Sequence, residues 1–423
     1  MIYDIIIIGG GISSLYSAYK LLQNNNNNTK KLKILILEKN NYLGGRIKTY
    51  RTSKNNIQYS WEEGAGRFNT KHVKLLKLID ELGLSDKIIN INAKIKFYPS
   101  GKYDQKFIHK SPFIYINKVI DFSKKMTQEE LQKLTFIELS KKILSQSEIK
   151  FILDSFGYYA QLIKMNSWNA IHLFENGMNP KNKFFSLIGG MDQIISRLKE
   201  KIIELGGKIK LNTNVTDIKY IDKFYITTKC LQKKLKARKV VLAIPKPDLL
   251  VFNILKQKSI QKMLNSINYK SLCRIYSIFP KSDNNTVWFN NIYKLTTNNK
   301  SRYIIPIDKE SGLIMISYSD SKFADYWQKL YKTRGILEVN DKLKENTKKT
   351  LDIEIPKPIF TKLSYWKCAI GFWKKNKNSE IISKKIIKPI KDMDLYICGE
   401  NYSETQGWIE GALESVTNVI NII

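Results

Sequence analysis

Residues 4–15 read DIIIIGGGISSL, and this stretch decides the fold. Residues 5–8 are four isoleucines, the β-branched, wholly apolar pattern of a parallel-sheet strand covered on both faces. Gly9, Gly10 and Gly11 follow. Ile12, Leu15, Tyr19 and Leu22 then recur at spacings of three and four, one face of an amphipathic helix. A strand, a glycine turn and a helix start together make an anion site. The turn lets backbone approach a phosphate, and the helix end offers free N–H groups and a partial positive charge. Against the dinucleotide fingerprint G-x-G-x-x-G the chain has Gly9, Gly11 and Ser14, so serine stands where a third glycine packs helix on strand. A second apolar strand, residues 34–37, ends at Glu38, 24 residues after Ser14. An acid at that place accepts hydrogen bonds from ribose hydroxyls and disfavours a 2′-phosphate.

The whole chain has 423 residues, enough for two or three domain-sized units. Its 71 basic and 38 acidic residues leave a net charge of +33, which suits a polyanion partner. The lysines are scattered, however, and Lys, Asn and Ile are all abundant, as AT-rich codons produce. Nucleic acid is therefore expected to bind only non-specifically, if at all. Cys230, Cys273, Cys368 and Cys398 form no C-x-x-C pair, and His72, His109 and His172 lack ligand spacing, so neither a disulfide scaffold nor a metal site is expected. Residues 24–28 form an asparagine tract that reads as a solvated surface insertion, followed by Lys30, Lys31 and Lys33. The first strand is under way by Tyr3 and residues 5–8 are too short to span a bilayer. No leader or transmembrane segment is expected, and the compartment is expected to be cytoplasmic.

Residues 37–49, LEKNNYLGGRIKT, resemble the segment after the second strand in the flavin-containing amine oxidases, the family of monoamine, polyamine and L-amino-acid oxidases. The likeness places Gly44, Gly45 and Arg46 against the FAD pyrophosphate, with Lys39 beside Glu38. Residues 63–68, EGAGRF, resemble the stretch passing the flavin ring and contribute Gly64, Ala65 and Arg67. The resemblance resumes over residues 184–211 with the Gly189-Gly190-Met191 helix start. It puts Val215 where backbone meets the adenine. Residues 395–415, LYICGENYSETQGWIEGALES, are similar to the family's closing FAD box and supply Gly399, Glu400, Gly407, Trp408 and Ile409.

The resemblance implies an α/β fold: a Rossmann-like, discontinuous FAD-binding domain with an α+β substrate domain. The first takes residues 1–70, 182–267 and 388–423, and the second 71–181 and 268–387. Helices are expected over residues 73–82, 129–143 and 147–156. FAD is implied as the cofactor, held non-covalently, because Phe372 stands where monoamine oxidases attach it through cysteine. Arg274 stands where many members have a lysine, and arginine cannot serve as a base. Trp373 and Trp408 are implied as the aromatic pair around the amine. Arg67 matches an arginine that holds the substrate carboxylate in L-amino-acid oxidases. It would otherwise pair with Glu62, Glu63 or an acid on the flavin side. The expected activity is amine oxidation: hydride passes from the carbon beside nitrogen to flavin N5, leaving an imine, with O2 as acceptor and H2O2 as product. The substrate is a small amine, or an amino acid. The alternatives are a desaturase-like flavoenzyme and a basic flavoprotein whose main role is polyanion binding. Oligomeric state is not legible.

Overall fold

A computed structural model describes residues 1–29, 31–92 and 94–423. The isoleucine run is the middle of a seven-stranded sheet. Strand Ile2–Ile8 lies parallel between Ile34–Leu37 and Leu235–Leu242, and Leu395–Ile397 pairs parallel with the latter. Lys208–Lys210 extends the sheet beyond Ile34–Leu37, and the antiparallel strands Val215–Tyr220 and Phe224–Thr228 extend it on the other side. Ile6 and Ile7 are fully buried because both faces are covered. Helices Ile12–Asn24, Gln193–Glu204 and Ile409–Ile420 pack one face through Leu15, Leu198 and Leu413. Strands from well-separated parts of the sequence thus meet in one sheet, and their carboxyl ends converge on one crevice.

A second, six-stranded sheet runs Phe360–Trp373, Ile267–Ile278, Leu313–Asp320, Tyr303–Asp308, Leu295–Thr296 and Lys96–Phe97. Helices between residues 113 and 177 cover it with their own core of Phe136, Ile152, Leu162 and Phe174. The helix expected over residues 73–82 is Val73–Glu81, and Gly83 follows it with a left-handed φ of 67°. The helix expected over 147–156 is Gln146–Ser155. The one expected over 129–143 is instead two helices, Gln128–Gln132 and Phe136–Ser140. Thr127 with Glu130 and Thr135 with Glu138 each form a complete capping box, and the second box starts a new helix where periodicity alone reads straight on. The asparagine tract is exposed at the end of the first helix, except Asn25, which is half-buried. Lys30 lies outside the described residues. Among the described residues no helix is long and apolar enough to cross a membrane.

Candidate active site

The crevice at the strand ends opens into a cavity of about 1730 Å³ that continues under the second sheet. One end is built by the glycine turn. Gly9 has φ 108°, and a Cβ there would stand 2.6 Å from the Ala243 carbonyl oxygen, so only glycine lets the first strand turn under Leu235–Leu242. Gly11 has an ordinary φ of −80°, and a Cβ on it would meet nothing within 4 Å. Gly11 caps helix Ile12–Asn24, which has no side-chain cap and no acid in its first turn, so its N–H groups face the cavity uncompensated.

Glu38 is buried at the end of the second strand. Its Oε2 accepts the Gly10 N–H at 2.5 Å, and its Oε1 accepts both the backbone N–H (2.8 Å) and the side-chain amide (2.7 Å) of Asn40. Arg46 donates Nη1 to Glu400 Oε2 at 2.9 Å and to the Ala369 carbonyl at 2.5 Å. Burial disfavours its charge, but Glu400, Tyr269 and Cys368 together outweigh that and raise its pKa. Glu400 also accepts the N–H groups of Gly371 and Gly407, at 3.2 and 2.7 Å, which ties the closing segment to the second sheet. Gly64 is fixed by packing: a Cβ there would stand 1.8 Å from the Arg46 carbonyl oxygen, to which Ala65 donates its N–H.

The other end of the cavity is aromatic and basic. Tyr158, Tyr303 and Tyr318 line it with ring centroids 5.0–5.7 Å apart. Arg274 is buried beneath them. Its Nη1 donates to the Glu62 carbonyl at 2.7 Å, and its guanidinium lies 4.6 Å from the Tyr318 ring centroid. Burial works against that charge, yet the phenol oxygens of Tyr318 and Tyr276 raise its pKa, so Arg274 is a permanent cation. The Tyr318 hydroxyl responds in kind. Burial pushes it up, but Arg274, with Tyr158 and Arg67, more than reverses this and its pKa is lowered. Arg67 lies against Phe184 and Trp408, its guanidinium carbon 4.8 and 5.8 Å from their ring centroids. Trp408 caps helix Ile409–Ile420, again without a side-chain cap, and backs onto buried His72 at 4.6 Å.

Most sequence-expected residues meet in this cavity: Gly9, Gly11, Glu38, Lys39, Gly45, Arg46, Gly64, Ala65, Arg67, Val215, Arg274, Gly399, Glu400, Gly407, Trp408 and Ile409 all line it. Ser14 does not; it is fully buried in the helix behind the turn. Trp373 does not either. It is fully buried in the core with Tyr402, its Nε1 donating to the Ser403 carbonyl, so it is not an aromatic wall of the cavity. Phe372 likewise packs into the helical core, while Cys368 reaches the cavity beside Arg46 and Lys246. The pairing of strand Phe360–Trp373 with Ile267–Ile278 shifts between Lys270 and Leu272, where partners jump from Ile370 to Trp366. Phe372 and Trp373 are neighbours in this strand, so they point to opposite faces, and the structure packs a core on each. Arg67 is not paired with Glu62 or Glu63. Glu62 accepts the Met191 N–H and the Thr49 hydroxyl, and Glu63 is held by Lys48, Lys362 and Ser364. The tyrosine cluster and Lys294 are the residues that sequence reading missed, and no local motif surrounds either.

The flavin containing amine oxidoreductase family profile matches residues 12–419. An uncharacterized protein of Acanthamoeba polyphaga mimivirus is 22% identical over 99% of this chain and 93% of its own length. Amine oxidase [flavin-containing] A of Canis lupus familiaris is 36% identical, over only 24% of this chain and 17% of its own. Among solved structures, a putrescine oxidase double mutant from a redesign of cofactor binding superposes with a TM-score of 0.75 at 15% identity, covering 100% of this chain and 99% of its own. A putative protoporphyrinogen oxidase from Exiguobacterium superposes at 0.72 and 17%, covering 99% and 98%. These two likenesses concern the fold. The cavity fits the cofactor that the family implies. Two uncapped helix starts supply donors for anionic oxygens, the Gly11 face is open for close approach, and the acidic Glu38 stands one strand away to accept hydroxyls. The chain belongs to the flavin containing amine oxidoreductase family and is an FAD-dependent oxidoreductase.

Proposed function

We propose that the enzyme oxidises an amine that also carries a carboxylate, with O2 as the acceptor. The observation that carries this reading is the state of the lining charges. The four carboxylates along the cavity are Glu38, Glu62, Asp248 and Glu400, and each is engaged: by Gly10 and Asn40, by Met191 and Thr49, by Lys39, and by Arg46. Arg67, between two aromatic faces, has no carboxylate partner among the described residues. A guanidinium so placed takes a carboxylate through two parallel hydrogen bonds and fixes the neighbouring C–H bond. Trp408 supplies an aromatic face beside it. The tyrosine cluster, rather than Trp373, supplies the opposing wall.

In this reading residues 1–70, 182–267 and 388–423 hold the cofactor, and residues 71–181 and 268–387 shape the substrate side. Glu38 holds the ribose hydroxyls, Gly11 and Arg46 the diphosphate, and Val215 the adenine edge. Lys39 stands at the mouth with Asp248. FAD, when bound, supplies the hydride acceptor for the C–H bond beside nitrogen, and the product imine is hydrolysed by water. Arg274 stays cationic and does not abstract a proton. The cofactor is held non-covalently in this reading: Phe372, where monoamine oxidases carry the attaching cysteine, packs into the helical core, and Cys368 lines the cavity near Arg46 and Lys246.

The test is anaerobic flavin reduction by a neutral amino acid and by its decarboxylated amine. The amino acid reduces the flavin faster, and Arg67→Ala erases that preference chiefly through weaker binding. Faster reduction by the simple amine would return Arg67 to a structural role. Reduction by neither, with turnover of a cyclic C–C or C–N substrate, would select the desaturase-like reading, which Arg274 in place of the family lysine favours.

A further inference from the structure

Lys294 lines the same cavity as Arg67, on the turn leading into strand Leu295–Thr296. It is half-buried and makes no ion pair with a carboxylate among the described residues. Strand Lys96–Phe97 pairs parallel with Leu295–Thr296, Lys96 lying opposite Leu295, and so brings Lys94 and Lys96 to the same edge of the cavity. Among the described residues no acid at that edge offsets them: Glu62, which also lines the cavity, is turned toward Met191 and Thr49. Burial first, and the charge of Arg67 second, push the Lys294 amine well below its ordinary pKa. Charging Lys294 beside the Arg67 cation without an anion is an electrostatic cost, and a ligand anion relieves it, the amine taking up a proton as the anion binds. One carboxylate on Arg67 leaves Lys294 uncompensated.

We propose that the cavity has a second anion subsite at Lys294, with Lys94 and Lys96 at its rim, and that the substrate is an amine bearing two acidic groups. This rests on the carboxylate reading of Arg67 and narrows it: Arg67 takes the acid next to the reacting carbon and Lys294 takes the acid at the far end. The +33 net charge acts in the same direction, drawing a dianion toward the mouth more strongly than a monoanion.

The experiment uses the flavin-loaded protein and reads ligand binding, through perturbation of the visible flavin band and by calorimetry, rather than turnover. The probes are butyrate and glutarate, matched in carbon skeleton apart from the second carboxylate. Glutarate binds the wild type at least about tenfold more tightly, in line with the worth of one charge-assisted hydrogen bond. Lys294→Met brings the two affinities together, Lys294→Arg keeps the difference, and Arg67→Ala weakens both ligands. Equal affinities in the wild type, or a glutarate preference that survives Lys294→Met, overturns the second subsite and leaves the Arg67 reading standing. Butyrate binding that Arg67→Ala does not change, or no binding of either acid, overturns both.

Discussion

Two glycines in one turn make opposite demands, and alanine at each separates cofactor binding from folding. At Gly11 the backbone is already in a region open to any residue, and the new methyl group points into empty cavity. Gly11→Ala therefore leaves the stability of the cofactor-free protein within ~0.5 kcal/mol of wild type. The same methyl group occupies the space through which a diphosphate approaches the first turn of helix Ile12–Asn24. Losing even one charge-assisted backbone hydrogen bond there costs about 1.5–3 kcal/mol, a tenfold or greater rise in the Kd for FAD. At Gly9 the effects reverse. A left-handed φ of 108° and an approach of 2.6 Å to the Ala243 carbonyl force the strand end to move, and the cost is about 2 kcal/mol or more of fold stability. The assays are FAD titration of deflavinated protein by flavin fluorescence quenching, and urea unfolding of the same sample. Unchanged FAD affinity in Gly11→Ala would refute the placement of the cofactor on this turn. A Gly9→Ala protein as stable as wild type would refute the packing argument.

His72 is buried against Trp408 and held neutral, its pKa lowered to about 3 by burial first and by Arg67 second. The unfolded chain takes up a proton near pH 6.5 that the folded chain refuses, so the contribution of this residue to stability is lost as pH falls from 6.5 toward 3. At pH 5 the loss is about 2 kcal/mol. His72→Phe should flatten the unfolding midpoint over that window, and a pH dependence identical to wild type would show that His72 does not titrate this way. Arg46→Ala removes the partner of a nearly buried Glu400. It should lower FAD affinity at least tenfold and also destabilise the cofactor-free protein; thermal shift with and without FAD separates the two, and neither change would remove Arg46 from the site.

The cofactor end of the cavity was legible because its chemistry is local. A strand, its turn and its helix start lie within residues 2–24, and Glu38 needs only the next strand. Gly64 was legible through the EGAGRF resemblance, and the structure supplies the reason it is small: the Arg46 carbonyl packs against it. The substrate end was not legible, since its residues come from strands paired across long sequence distances. Trp373 and Phe372 sit in a segment that resembles a flavin-facing stretch, yet as neighbours in one strand they point to opposite faces, and a hydrophobic core packed from distant parts of the chain covers each. Lys294 gains its setting from Lys96, some two hundred positions earlier, through a two-residue parallel ladder that no periodicity signals.

The Arg46–Glu400 pair joins positions 354 residues apart. On the ribosome, the glycine turn and Arg46 emerge early, and their carboxylate partner emerges only after nearly all the rest of the chain. Until then the anion-binding end is a cationic half-site lacking its counter-charge, and the helix start at Trp408 that borders the aromatic end does not exist. In the proposed reading, flavin capture waits for both of these late partners. A chain cut short before Glu400 lacks both the counter-charge of Arg46 and the helix that starts after Trp408.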